Sequence, residues 1–361
     1  MVTIKVNNLI DFVADVFSQA ESSAEEARRI ATYLTTANLT GHDSHGVIRV
    51  PVYIRWKKTG NVIPNQTAET VVDTPSLAVV DGRFGYGQTV APFAVKAGIE
   101  KCRKAGLAAV ALRNAGHIGR VGDWAEMAAA EGLVSVHFVN AAGSLLVAPF
   151  GGVEKRLSTA PYCVGIPRDG QDPIVLDFAT SIVAEGKVLV ASRGGKKLPK
   201  GALIDGDGTL SEEPSVLYGP YTPDGPRDHT KGTGAIRAFG EHKGSGLAFI
   251  CELLGGALTG TGATSAGRQF ANGMLSFYVD PKVIDTANFF DGEITRYVDF
   301  IRATKPVAGV DTVLVPGDPE RKTRAERTAN GVPLPDDTWA AIVNTAREVG
   351  VSEVSIQRAT S

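Results

Sequence analysis

The sequence predicts an α/β fold, and three observations carry the prediction. Between residues 76 and 160, short β-branched runs alternate with alanine-rich amphipathic ones, the β-α-β-α-β order of a layered sheet. Both chain ends carry helical periodicity instead. The composition, 361 residues with 43% hydrophobic and 21% charged, is that of an ordinary soluble protein and is long enough for more than one core.

The elements follow in order. Leu9, Phe12, Val13, Val16 and Phe17 recur at helical spacing, and Ser23 followed by Glu26 makes a capping box ahead of Ile30, Leu34 and Ala37. Two helices are therefore expected over residues 8 to 40. Gly41 ends the second, where the last carbonyls need a left-handed residue. SLAVVDG, the run from Thr89 to Lys104, LAAVALRN, the run from Val121 to Glu131, and LVSVHFVN then build the α/β layer, with parallel pairing expected. Residues 194 to 243 are rich in Gly, Pro and Lys and read as long loops at the surface or around a cleft. Beyond them, helical patterns run from Ser245 to Leu258, Asp291 to Thr304, Pro319 to Ala329 and Asp336 to Glu348. Phe277 to Val279 marks one more strand.

Charge and cysteine usage narrow the function classes. The 37 basic and 39 acidic residues form no long run of either sign, so neither nucleic acid nor an anionic membrane is an expected partner. A small molecule is. Three widely spaced cysteines, with no CxxC, argue against a disulfide framework or a thiolate metal site, and the absence of HExxH argues against a histidine one. No metal is expected. Neither a signal-peptide core nor an apolar run long enough to span a bilayer occurs, which predicts a cytoplasmic protein.

A nucleotide site normally announces itself as GxGxxG directly after a strand. Gly82, Gly85 and Gly87 have the wrong spacing, and Gly260 and Gly262 follow a helix. A Rossmann domain is not expected. Two other places suit an anion: Asp177 to Ser181 (DFATS), read as the start of a helix after the strand-like PIVL, and Lys243 with Gly244 and Gly246 at another helix start. Simple N-capping explains the first equally well.

Two polar clusters remain. GHDSHGVIRV gathers His42, Asp43, Ser44, His45 and Arg49. If a helix resumes after Gly46, His45, Arg49 and Tyr53 fall on one face, with Pro51 tolerated only near its first turn. A guanidinium clamps carboxylates bidentately and an imidazole exchanges protons near neutral pH. An ion pair for Arg49 and a cap for His45 are the plainer alternatives. RNAGHIGRVG frames His117 with glycines at the C-terminal edge of a strand, where α/β proteins place sites. His137, in an apolar strand, reads as a satisfied core residue.

Taken in order, SHGVIR with Tyr53, VDGRFGYGQ, RNAGHIGRVG, VAPFGG, DFATS with AEGK, LPKGALID, EHKGSGL, VLVPGDPE and GVPLPDDTW resemble the type-2 malate/L-lactate dehydrogenase family. The resemblance implies a nicotinamide-dependent oxidoreductase, using NAD or NADP on a small carboxylate substrate, usually as a homodimer. It implies a non-Rossmann, mixed-sheet nicotinamide-binding domain over 76–304, with a loop-rich insertion at 194–243. A helical domain from 1–75 and 305–361 would flank it. By the same resemblance His117, His45 and Ser44 are catalytic, and Arg49, Tyr53 and Thr159 bind substrate. Ile118, Gly119, Arg120, Val121, Asp177, Phe178, Ala179, Thr180, Ser181, Lys243, Gly317 and Asp318 contact the cofactor. Two departures bear on substrate and cofactor-edge contacts: STAP at Ser158 to Pro161 replaces the family's GTNP, and the loop before VAPFGG, reading NAAGSLL, is longer than in many relatives. Lys187 stands where the imine-reducing branch has an acid, which favours a hydroxy acid over a cyclic imino acid. A metal-assisted hydrolase on His42, Asp43 and His45 is the reading from another class. Lys196, Lys197 and Lys200 are candidates for a 2′-phosphate.

Overall fold

In the computed structural model, described over residues 1–194, 197–222 and 227–360, the chain forms a mixed α/β structure around three apolar cores. Lys196 lies outside the described residues. The largest sheet has seven strands in the order Glu69–Asp73, Leu77–Asp81, Leu107–Ala115, Ala271–Val279, Val134–Ala142, Pro161–Ile166 and Ile174–Ala179. Only Leu77–Asp81 and Leu107–Ala115 pair in parallel. The remaining pairs are antiparallel.

The expected parallel pairing therefore holds for the first crossover and fails for the second. Ala271–Val279 returns from far along the chain and inserts between Leu107–Ala115 and Val134–Ala142. Its first six residues are all buried, the pattern of a strand covered on both faces, and no local reading of the β-α-β run reveals such an inserted strand. Its register sets Ser276 opposite His137, whose ring bonds Ser276 (2.8 Å) and Ser135 (3.0 Å). His137 is thus the satisfied core histidine that its strand position predicts.

Helices Val6–Gln19 and Ala24–Leu39 match the expected pair. The capping box closes differently. Ser23 Oγ accepts from the Glu26 N–H (3.3 Å), but the Glu26 carboxylate accepts from Asn65 N (2.7 Å) and Thr89 Oγ1 (3.0 Å), while Asn65 Oδ1 takes the Ser23 N–H (2.7 Å). A distant asparagine thus does what the local glutamate was expected to do. Both chain ends meet: Val2–Ile4 pairs with Val332–Leu334, and Ile342, Ala346 and Ile356 join Leu9, Phe12 and Phe17 in the first core.

Residues 194–243 are more than surface loop. Leu203–Ile204, Leu210–Ser211 and Ala235–Arg237 form a small sheet with Val147–Ala148, and Leu203, Leu217 and Ile236 enter the third core. Strands this short are too brief to show an alternating pattern. Helix His242–Cys251 continues as a π-helical segment, Glu252–Leu258. At that change of pitch Glu252, 3% exposed, accepts from Ser158 N (3.1 Å), Ser158 Oγ (2.5 Å), Asn140 Nδ2 (3.1 Å) and Thr264 N (2.9 Å). Among the described residues, no helix is long and apolar enough to cross a membrane.

Candidate active site

The corner after the second helix is not one helical face. Asp43–His45 and Val47–Arg49 are separate 3₁₀ turns, split by Gly46 in extended backbone, and the α-helix Val50–Lys58 begins only afterwards with Pro51 in its first turn. Asn38, buried at 1% exposure, holds the two turns together: Oδ1 accepts from Val47 N (2.8 Å) and Nδ2 donates to Asp43 Oδ1 (2.7 Å). Arg327 adds bonds to Asp43 Oδ1 (2.6 Å) and the Asn38 carbonyl (2.5 Å). Asp43 is therefore an anchor, and His42 pairs with Glu320 (3.2 Å).

What the corner presents is His45, with Ser44 Oγ 3.0 Å from its Nδ1, and Arg49. Arg49 Nε donates to the Ser44 carbonyl (2.6 Å), which orients the guanidinium and leaves both Nη groups without a hydrogen-bond partner among the described residues. That geometry suits a carboxylate, since a guanidinium offers two parallel donors on its open edge.

His117 arrives from the loop after Leu107–Ala115. Its ring stacks on that of His45, 5.5 Å between centroids and 14° between planes, so histidines from two distant segments share one site. Tyr53, one turn beyond Arg49, lies 2.6 Å from His117 Nδ1, and its hydroxyl also accepts from Gln88 Nε2 (3.1 Å). With Gln88 donating to the phenol oxygen, the hydroxyl proton points to Nδ1, and the neutral ring then carries its own proton on Nε2. The phenol has a second acceptor in the His117 carbonyl (3.3 Å), so it is able to turn and receive an Nδ1 proton instead. Both tautomers are accommodated. Gly87 is what allows the loop this close: a Cβ there would stand 2.3 Å from the His117 carbonyl oxygen.

Electrostatics keep both imidazoles neutral. Burial first, and then the Arg49 charge, hold His117 well below the ordinary imidazole value and bring His45 down to about 3. Burial pushes the Tyr53 hydroxyl up, so it stays a neutral donor. At neutral pH the pair is ready to accept a proton beside a fixed positive charge.

The remaining predicted residues divide. Asp177–Ser181 does not open a helix: Asp177, Phe178 and Ala179 end the strand Ile174–Ala179, and the next helix begins at Glu185. Asp177 accepts from Gly122 N (2.7 Å), Phe178 packs edge-on against Phe239 (5.3 Å), and the Thr180 N–H donates to the Thr159 carbonyl (3.0 Å). Ser181 bridges to Ala238, which brings this strand end beside the helix His242–Cys251. There Lys243 is exposed in the first turn, with no side-chain partner among the described residues, and a Cβ on Gly246 would meet nothing. An unpaired ammonium beside an open backbone fits the pyrophosphate of a dinucleotide, while the Lys243 and Gly244 N–H groups are already bonded to the Gly240 and Phe239 carbonyls. Helix Glu185–Ser192 reaches the histidine corner, since a Cβ on Gly186 would touch Ser44 Cβ at 2.9 Å.

Ile118 and Val121 are buried; the Ile118 N–H donates to Asn272 Oδ1 (3.0 Å). Gly119 lies between Ile118 and Arg120 in this loop. Arg120 offers no free edge: its Nη atoms bond Asp123 and Glu126, each at 2.8 Å, with a side chain 1% exposed. Asp318 bonds Arg302 (2.7 Å) and Val315 N (2.9 Å), and Gly317 lines a cleft of about 1080 Å³ with Arg321, Arg324 and Glu320, the partner of His42. Asn38, Gln88, Trp56 and Phe270 escaped the sequence reading. Only Gln88 carried a local signal, through its place in VDGRFGYGQ.

This arrangement, neutral imidazoles beside an open guanidinium on a mixed α/β frame, belongs to the dehydrogenase class of oxidoreductases. The solved structure of malate dehydrogenase from Pyrococcus horikoshii superposes with a TM-score of 0.84 at 25% identity, covering 97% of this chain and 96% of that one. Hydroxycarboxylate dehydrogenase B from Escherichia coli is 38% identical over 355 residues, 97% of this chain and 95% of that protein. L-lactate dehydrogenase from Cupriavidus necator is 32% identical over 329 residues, 90% and 91% of the two chains. The malate/L-lactate dehydrogenase family model matches residues 4–343, and the chain belongs to that family.

Proposed function

We propose that this enzyme interconverts a 2-hydroxy acid and its 2-oxo acid, with His117 as the proton-transfer group and NAD or NADP as the redox partner. The observation that carries the reading is the pairing of His117, tethered at Nδ1 and open at Nε2, with Arg49, tethered at Nε and open at both Nη. A nicotinamide bound beside these residues would take up the hydride in one direction and supply it in the other.

The chain's own residues do the rest. Arg49 grips the substrate carboxylate and so fixes which face of C2 is presented, the orientation part of the barrier. As the C2–H bond breaks and its electron pair departs, His117 Nε2 takes the hydroxyl proton and the C2=O bond forms. Nε2 is free to do so in the tautomer whose ring proton sits on Nδ1 and is donated to Tyr53, whose own hydroxyl then turns to the His117 carbonyl. In reverse His117 returns the proton to the forming alkoxide. His45, held by Ser44, is the second proton-transfer group, and Thr159, tied to Thr180, borders the pocket.

The same reading takes residues 1–75 and 305–361 as a helical domain flanking a non-Rossmann nucleotide domain at 76–304. It takes the working unit as a cytoplasmic homodimer, with Asp177–Ser181, Lys243, Gly317, Asp318 and the Ile118–Val121 loop along the cofactor. The test is nicotinamide absorbance with 2-oxo acids and with a cyclic imino acid, under each cofactor in turn. Oxidation of the reduced cofactor by 2-oxo acids is expected. Turnover with the imino acid alone overturns the proposal.

A further inference from the structure

Beside His117 stands a pair of rings with no role in proton transfer. Trp56 and Phe270 stack at 4.5 Å between centroids, 21° between planes, and lie 6.5 and 6.2 Å from the His117 ring. Both are only partly buried. Trp56 sits three residues after Tyr53 on the same helix, and Phe270 immediately precedes the inserted strand Ala271–Val279, so the fold brings them together from its two halves. A stacked aromatic pair left partly open beside a reacting group offers an apolar platform on which a planar group gains contact.

The charges around the site point the same way. Those acting on the two imidazoles are Arg49, His42 and Arg120. Arg120 is closed off by Asp123 and Glu126, and His42 by Glu320. Lys187, next to the Gly186 that touches Ser44, is exposed to solvent. Of the cations acting on the imidazoles, Arg49 is thus the one left open, enough for one carboxylate. A second anionic group would be set against stacked rings and lose its hydration without a partner.

Resting on the 2-hydroxy acid reading above, we infer that the preferred substrates are monocarboxylic 2-hydroxy and 2-oxo acids with an aryl or bulky apolar side chain. Arg49 takes the carboxylate, His117 the C2 oxygen, and the Trp56–Phe270 pair the side chain. The ring pair itself offers no cation to the second carboxylate of a dicarboxylic acid.

The test compares kcat/KM for phenylpyruvate, pyruvate and oxaloacetate with reduced cofactor, in the intact protein and in the Phe270→Ala and Trp56→Leu variants. Phenylpyruvate is expected to lead by about tenfold or more. Each variant lowers the phenylpyruvate-to-pyruvate ratio by about tenfold, mainly through KM. Calorimetric titration with 3-phenyllactate and malate gives the same order without turnover. Preference for oxaloacetate or pyruvate, or a ratio that neither folded variant moves, overturns this assignment and leaves the 2-hydroxy acid reading standing. Turnover of none of the three acids overturns both.

Discussion

Replacing Arg49 by alanine separates two things that this side chain does. It removes the open Nη edge that pairs with the substrate carboxylate, and charge-assisted hydrogen bonds contribute about 1.5–3 kcal/mol each. Two such bonds amount to about 3–6 kcal/mol in full burial. Arg49 is only partly buried, so water replaces some of this and the lower half of the range applies. The expected loss in kcat/KM is on the order of 10²- to 10³-fold, mostly in KM. The same substitution removes the charge that, after burial, depresses His117 and His45. In the oxidative direction the base must be neutral, so activity falls on the acid side as His117 gains a proton. The acid limb of the native enzyme lies well below the ordinary imidazole value, and Arg49→Ala moves it upward. Arg49→Lys keeps the charge without the fork and should raise KM while leaving the limb near its native place. Steady-state rates across pH, with each variant's melting curve, read both effects. An alanine variant with native KM and an unmoved acid limb would refute the clamp and the electrostatics together.

His117→Asn should lower kcat by about 10²- to 10⁴-fold in both directions, with a smaller loss for His45→Asn, measured as cofactor oxidation at saturating substrate. Tyr53→Phe removes the 2.6 Å contact to Nδ1 and leaves Gln88 short of an acceptor. At about 1–3 kcal/mol for a buried group left unpaired, kcat/KM should drop about 10- to 100-fold, with little change in KM. Gly87→Ala sets a methyl group against the His117 carbonyl, where backbone has no room to yield, so both melting temperature and activity should fall. Native activity in that variant would show that the loop is not held as described.

The helices at both ends, the first parallel crossover and the site's main groups were legible because each has a local cause: periodicity, a capping residue, a glycine after a helix, a histidine framed by glycines at a strand end. Ala271–Val279 as a central strand was not, since insertion between two earlier strands is a long-range event with no local trace. The same limit hid Asn65, which takes the place of Glu26 at a helix start, and Asn38, which organises the histidine corner from within the preceding helix. Short strands in 203–237 carry too few residues to show alternation. The helix expected to open at Asp177 to Ser181 failed for a physical reason: the polar groups there are taken by neighbouring backbone, Thr180 bonding Thr159 and Ser181 bonding Val183, and the chain turns helical only at Glu185. Phe270 beside Trp56 is a pairing that only tertiary structure reveals.

The most direct measurement is a crystal structure of the enzyme with nicotinamide cofactor and oxamate, an unreactive likeness of a 2-oxo acid. The predicted result is an oxamate carboxylate on both Nη atoms of Arg49, with the neighbouring carbonyl oxygen within about 3 Å of His117 Nε2. Oxamate bound away from Arg49, or a His117 ring whose Nε2 faces neither ligand nor cofactor, would contradict it.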